Sequence, residues 1–529
     1  MQRITLTAAT VSVAALLLTG CTPASPDNKV ADDIVFATWE PDHLTPGRQT
    51  LAYDQVMSVF SPLVSIKEDG DLDYVQAESV TSEDATTWTI RLRGGWKFHN
   101  GEPVTAKSYV DAWNYTAYGP NAWGNTGQLA AIVGYSDLNP KQGDPQTRTM
   151  SGLTVIDDLT FTVKLVAPDR QFPLQLSNAQ TAFYPMPEAA YEDLAAYDRM
   201  PIGNGPFKME EAWQDNTEFS VTANKDYAGE LPALDSVTFR SYNDMSTAYT
   251  DALAGNVDLV SVPDNKLTSV RDDFGGRVHP LEAPAVDWLG FPADDPRFAD
   301  IRVRQAISMS IDREAVNDAI FGGLYKPATA LTAPSMAGTP ADACGQYCKF
   351  DPEAARKLLA DAGGFEGTMM ILYPGGNGFD SLFEVYANQI RQNLGIKEVV
   401  AAPSTDWAEF FDALDNRTVT GPFRGHWGAL YPSQQNTLRN VFTSGGKVTA
   451  AAGFYSNPKV DELLSEGDAA GSFEEANQKY AVAQGVILDD FPTVPTFSSP
   501  FVYATSTKIT NLPSVSGNVL LSKIGVVKK

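Results

Sequence analysis

The sequence predicts an α/β protein, because helical and strand patterns alternate along it. Three stretches carry that reading. Residues 88–93 (WTIRLR) alternate apolar and polar side chains, as a half-buried strand does; a tight turn follows at His99-Asn100-Gly101, and Thr105 opens a helix. Residues 153–165 read as a hairpin around Asp157-Asp158. Residues 235–260 read strand, helix, strand, with Gly255-Asn256 ending the helix.

The remaining elements follow in order. Gly203 to Phe207 (GNGPF) is a glycine-rich turn. Residues 301–321 read as one long amphipathic helix, stopped by Gly322-Gly323. Asp351-Pro352 starts another helix, and 379–395 and 405–414 are further helical stretches.

Composition narrows function. There are 39 basic against 65 acidic residues, a net charge of −26, so a phosphate backbone is repelled and nucleic acid is not an expected partner. Three cysteines and four histidines leave little for thiol or metal chemistry, and no metal or cofactor is expected. No G-x-S-x-G elbow or H-E-x-x-H pair is present, although a glycosidase-type carboxylate pair is not excluded by counting.

Residues 1–20 have a positive start at Arg3 and an apolar run from Val11 to Leu18, too short to span a bilayer, which matches a signal peptide. Leu18-Thr19-Gly20-Cys21 resembles a bacterial lipobox, which implies cleavage before Cys21 and lipidation of its thiol. Residues 21–33 are then the lipidated cysteine and a tether. The two remaining cysteines, Cys344 and Cys348, are expected to form a local disulfide, since an exported chain can hold one and no further Cys or His is near enough for a metal site.

Residues 88–113, WTIRLRGGWKFHNGEPVTAKSYVDAW, resemble the signature of family 5 extracellular solute-binding proteins, the oligopeptide-, dipeptide- and nickel-binding receptors of ABC importers. Five further blocks agree in order: GNGPF at 203–207, ALAGNVD at 252–258, VRQAISMSIDR at 303–313, FDPEAARKLLADAG at 350–363 and FPTVP at 491–495. The blocks themselves read as scaffold: His99 as a turn residue, Asp312-Arg313 as a charge-assisted tie between a helix and its neighbours.

The resemblance implies a periplasmic-binding-protein-like α/β fold: two lobes joined by two hinge strands, plus an extra subdomain on the first lobe. The order of the blocks puts lobe I at 34–75, 202–285 and 504–529, the inserted subdomain at 76–201 and lobe II at 286–503. Ligand would be trapped between lobes by hinge closure and handed, as a peptide, to a permease and its ATPase, from a monomeric lipoprotein on the outer face of the cell membrane, or on the periplasmic side where the host has an outer membrane. Residues 425–438, GHWGALYPSQQNTL, are similar to the family's ligand strand and make Trp427, Gly428, Leu430 and Tyr431 candidate contacts; Trp39, Glu40 and Trp407 resemble further cleft residues. Many peptide-binding members carry at position 430 an aspartate that meets the ligand's ammonium; Leu430 cannot. Glu40 or Asp406 could replace it, the peptide could shift register, or the ligand could be a neutral solute such as an oligosaccharide. His426 is the one histidine near that cleft. An exported hydrolase and a sensory receptor are the alternatives from other classes.

Overall fold

The computed structural model describes residues 32–67, 70–376 and 378–527; the signal segment, Cys21 and the tether to residue 31 lie outside the described residues. Three large sheets organise the chain. The first has seven strands in the spatial order Val278–Leu281, Phe501–Thr505, Leu259–Ser261, Asp33–Trp39, Ser236–Tyr242, Phe219–Ala223 and Phe207–Met209. Asp33–Trp39 runs parallel to both of its neighbours, so the strand–helix–strand unit read at 235–260 brackets it. The second sheet has six strands, in the order Lys326–Pro327, Thr493–Ser498, Ala285–Gly290, Phe423–Gly428, Met369–Pro374 and Val399–Ser404. The third is antiparallel, four strands between Ala77 and Lys164, and contains the hairpin at Leu153–Lys164. The molecule is therefore two-lobed, with an additional layer on the first lobe. Among the described residues, no helix is long and apolar enough to cross a membrane.

The chain passes between the two large sheets twice, at 282–284 and at 499–500. The second passage corrects the expected boundary at 503/504. Phe501 already pairs with Leu281, and Ala504 with Val260 and Val278, so main-chain hydrogen bonding binds 501–503 to the first sheet.

Residues 88–113 behave as a strand, a turn and a capped helix. Thr105 and Ser108 form a reciprocal capping box at the start of Ala106–Ala117. His99 does more than turn the chain. Its Nδ1 accepts from the Gly203 N–H at 3.2 Å and its Nε2–H donates to the Gly205 carbonyl at 3.2 Å, which fixes a neutral ring; burial lowers its pKa to about 4. The imidazole thus clamps the GNGPF turn, whose glycines are required by close approach. A Cβ on Gly203 would lie 2.1 Å from the Val59 carbonyl oxygen, and one on Gly205 2.5 Å from it.

The stretch 301–321 is two helices, Ile301–Met309 and Arg313–Phe321, where one was expected. Asp312 is the reason: its carboxylate accepts from the Ala315 N–H and starts a new helix, a competition with the backbone that periodicity alone does not show. Arg313 is buried, and its guanidinium donates to the Pro495 carbonyl at 2.7 and 2.9 Å, the Ser308 carbonyl at 3.1 Å and Ser308 Oγ at 2.9 Å. It ties the helix pair to the second sheet through charge-assisted bonds to carbonyls. Cys344 and Cys348 are joined, with Cα atoms 5.5 Å apart, closing one short loop of the second lobe.

Candidate ligand cleft

Strand Phe423–Gly428 organises the space between the lobes. It pairs antiparallel with Ala285–Gly290, Asp287 opposite His426 and Leu289 opposite Arg424. The Ala429 N–H donates to the Pro284 carbonyl, and the alternation of an antiparallel ladder then turns the main-chain groups of Gly425 and Trp427 toward that neighbour. Those of His426 and Gly428 point the other way. The next strand, Met369–Pro374, reaches this edge only at Phe423, so beyond Arg424 no strand among the described residues covers it.

The uncovered edge borders a cavity of about 540 Å³, a size suited to small ligands. The first lobe contributes Ser261, Val262 and Asp264, the second contributes Asp287, Arg424 and Tyr386, and the second crossing passes beside them at Ser499-Pro500. Charge in this space is concentrated and mixed. His426 Nδ1 lies 2.9 Å from Asp287 Oδ1, and Arg424 Nη2 lies 3.6 Å from the same oxygen. Burial alone would push Asp287 up, but His426 and Arg424 outweigh it and hold the carboxyl below its usual range. Burial lowers Arg424, partly countered by Asp287. Asp264, facing them from the first lobe, is raised by burial and then by the Asp287 charge. The Arg424 guanidinium also lies 4.6 Å above the Phe379 ring and 5.4 Å above that of Trp407.

The residues expected in the cleft are distributed unevenly. Gly428 lines the cavity. Trp407 backs it through Arg424. Trp427 faces the opposite side of the sheet, where its Nε1–H donates to Asn436 Oδ1 at 2.9 Å; a period of two sends it away from Arg424, His426 and Gly428. Leu430 stands past the strand's end, 37% exposed. Trp39, 51% exposed, and Glu40 lie at the carboxyl end of the first lobe's central strand, the end from which Ser261 and Val262 enter, without lining the cavity. Glu40 Oε1 accepts from the Asn216 N–H.

Tyr431 is removed from the cavity altogether. It is buried with Ile66, Leu174 and Val515 of the first lobe, and its hydroxyl donates to Gln435 Oε1 at 2.6 Å. The same seam holds Asp169 of the inserted segment, which accepts from Gln435 Nε2 at 2.9 Å while that nitrogen also reaches Asp468 at 2.9 Å. Burial, with the nearby Asp468 charge, pushes Asp169 up to about 6. Tyr431 is thus a lobe–lobe contact in this arrangement.

Sequence reasoning missed Arg424, Asp287 and Asp264. Arg424 was within reach of it: the strand RGHWG contains Gly428, and alternation from that glycine leads through His426 to Arg424. Asp264 and Asp287 lie on other segments, brought together only by the sheets. Among the described residues, no group of three or more His, Cys, Asp or Glu side chains could hold a metal ion.

The model of the bacterial extracellular solute-binding proteins, family 5, matches residues 74–449. The murein peptide-binding protein MppA of Escherichia coli K12 is 27% identical over 480 residues, 87% of this chain and 86% of that protein. The oligopeptide-binding protein OppA of Bacillus subtilis is 23% identical over 87% of this chain and 86% of its own length. Among solved structures, the unliganded open form of MppA superposes with a TM-score of 0.82 at 23% identity, covering 94% of this chain and 98% of the other. Haemophilus influenzae OppA in complex with the peptide RPPGFSPFR gives 0.69 at 23% identity, over 94% and 99%. The fold and the extent of the family match agree, and this chain belongs to the family 5 bacterial extracellular solute-binding proteins.

Proposed function

We propose that the protein captures peptides between its lobes without chemically altering them, and presents them to the permease of an ABC importer from a lipid anchor at Cys21. The observation that carries this reading is the uncovered edge at His426 and Gly428. It offers main-chain donors and acceptors to an extended chain in the cavity, while the mixed charges of Arg424, Asp287 and Asp264 suit a ligand with both signs. The names of the relatives, MppA and OppA among them, point the same way. Closure would follow from the ligand's extra contacts in the shut state, about the passages at 282–284 and 499–500. Trp39, Glu40 and Leu430, near the mouth, would join the ligand's surroundings on closure. A neutral solute is the second reading, favoured by the apolar Leu430 at the end of that strand.

The direct test is native mass spectrometry of protein purified from its own host, with a co-purifying peptide expected. Gly428→Pro is expected to weaken peptide binding about tenfold, because it removes a cavity-facing N–H and no ladder bond. Its melting temperature should stay close to that of the parent, so titration calorimetry and a thermal melt together separate lost binding from lost folding. Leu430→Asp is expected to tighten free-amine peptides specifically, measured against their N-acetylated forms; equal effects on both would remove residue 430 from ammonium recognition.

A further inference from the structure

Past Gly428 the chain leaves the cleft and enters the seam between the lobes, where several hydrogen bonds cross from one lobe to the other. From the inserted segment, the Arg170 N–H donates to the Asp468 carbonyl at 2.9 Å and the Arg170 Nε–H to the Ala470 carbonyl at 2.6 Å. From the second lobe, Ser433 Oγ donates to Gln171 Oε1 at 3.0 Å. Tyr431 fills the apolar side of the same seam. Tyr431 and Ser433 follow directly on strand Phe423–Gly428, so the seam fixes where the uncovered edge stands relative to the first lobe.

At the centre of the seam one amide serves two carboxylates from opposite lobes. Gln435 Nε2 lies 2.9 Å from Asp169 Oδ1 and 2.9 Å from Asp468 Oδ1. Two oxygens so held are at most about 5.8 Å apart, close enough for like charges away from bulk water to repel strongly. Their surroundings differ. Asp468 has the Arg439 guanidinium beside it and accepts from the Tyr480 hydroxyl at 2.8 Å. Asp169 has no ion-pair partner among the described salt bridges. It accepts from amides only: the Gln171 N–H at 2.9 Å and Gln435 on Oδ1, and Gln175 Nε2 at 2.6 Å on Oδ2. The guanidinium of the adjacent Arg170 is engaged by the Ala470 and Ser82 carbonyls and lies over the Trp88 ring. Burial, ahead of the carboxylate charges, keeps the Tyr431 and Tyr480 hydroxyls protonated. Burial raises Asp468 as well, but Arg439 counters it. Asp169 is therefore the group on which the seam takes up a proton. A proton on Oδ2 needs only a rotation of the Gln175 amide, which then presents its oxygen.

We propose that the seam is an acid-strengthened latch: a proton on Asp169, opposite Asp468, holds the lobes in this arrangement, and its loss lets the second lobe swing away from the inserted segment. The latch stands whether or not the ligand of the cleft is a peptide. Asp169 is held at about 6 in the latched seam and returns toward 3.8 once it faces water, so the latched state is the one that binds the proton. That advantage is present in acid and is lost as pH rises through about 6. Between pH 5 and 7.5 the ratio of latched to unlatched chains should fall about tenfold.

The experiment measures the distance between spin labels on the ligand-free chain from residue 22, placed at Glu83→Cys in the inserted segment and Glu474→Cys in the second lobe, both exposed. At pH 5 the shorter distance is expected to dominate, and at pH 7.5 a longer one should grow in with that tenfold change in ratio. Asp169→Asn keeps the shape of the side chain and cannot ionise, so it should hold the shorter distance at both pH values. Gln435→Met, which unlinks the two carboxylates, should enrich the longer distance at both. Circular dichroism of each labelled variant separates a displaced lobe from an unfolded one. A parent distribution that is the same at pH 5 and 7.5, or a pH response that survives Asp169→Asn, would overturn the latch.

Discussion

Arg313→Met will unfold the second lobe at markedly lower denaturant than the parent, with a loss of about 3–5 kcal/mol. The side chain is buried and its partners are carbonyl and hydroxyl oxygens of the second lobe, on Ser308, Ile311, Cys348 and Pro495. Methionine fills a similar volume and donates nothing, so these acceptors lose their donors where water cannot replace it. Burial lowers the Arg313 pKa only to about 10, so the group stays charged at any pH of interest and its hydrogen bonds are charge-assisted throughout. Lysine would be a poor substitute, since one ammonium cannot span the directions that the planar fork serves. Urea unfolding followed by circular dichroism checks this, with Arg302→Met as control. Arg302 pairs with Asp300 at the surface, where solvent screens the pair, and its loss should leave the urea midpoint almost unchanged.

The second large effect has the opposite sign. Asp54→Asn will stabilise the first lobe, by up to about 4 kcal/mol at pH 8 and by almost nothing near pH 4. Burial pushes the carboxyl up to about 7 in the folded chain, from the 3.8 of an ordinary aspartate. Below pH 4 it is protonated in both states and costs nothing. As pH rises toward 7 the unfolded chain releases its proton first, so the folded state progressively loses ground. Asparagine removes that dependence. Urea midpoints at pH 4.5 and 8 should therefore diverge for the parent and stay closer for the variant. A difference between parent and variant that is the same at both pH values would show that Asp54 is ionised normally.

Local signals carried the fold class and most element positions. The capping Thr105, the hairpin at Asp157-Asp158 and the left-handed glycine at Gly322 each act within a few residues, and each is readable as sequence. The break at Asp312 was also local, but its capping signal was masked by an apolar pattern that runs straight through it. The order of six motif blocks pointed to the two-lobed scaffold, and the extent of the family match agrees with it. The cleft was less legible because its charges come from three distant segments. Asp264, Asp287 and Arg424 meet only when two sheets are built and set side by side. Trp427 and Tyr431 illustrate the converse: aromatic residues adjacent to the uncovered edge, one turned into the helices behind it and the other into the seam between lobes.

The position of Phe501–Thr505 inside the first sheet, between Leu259–Ser261 and Val278–Leu281, dictates an order of assembly. A chain emerging from the ribosome begins with the first lobe but cannot finish it, because one interior strand arrives almost at the end. The second lobe, continuous from 285 to 498, can settle earlier. Until residue 505 is out, two strand edges wait unpaired and the first lobe stays loose.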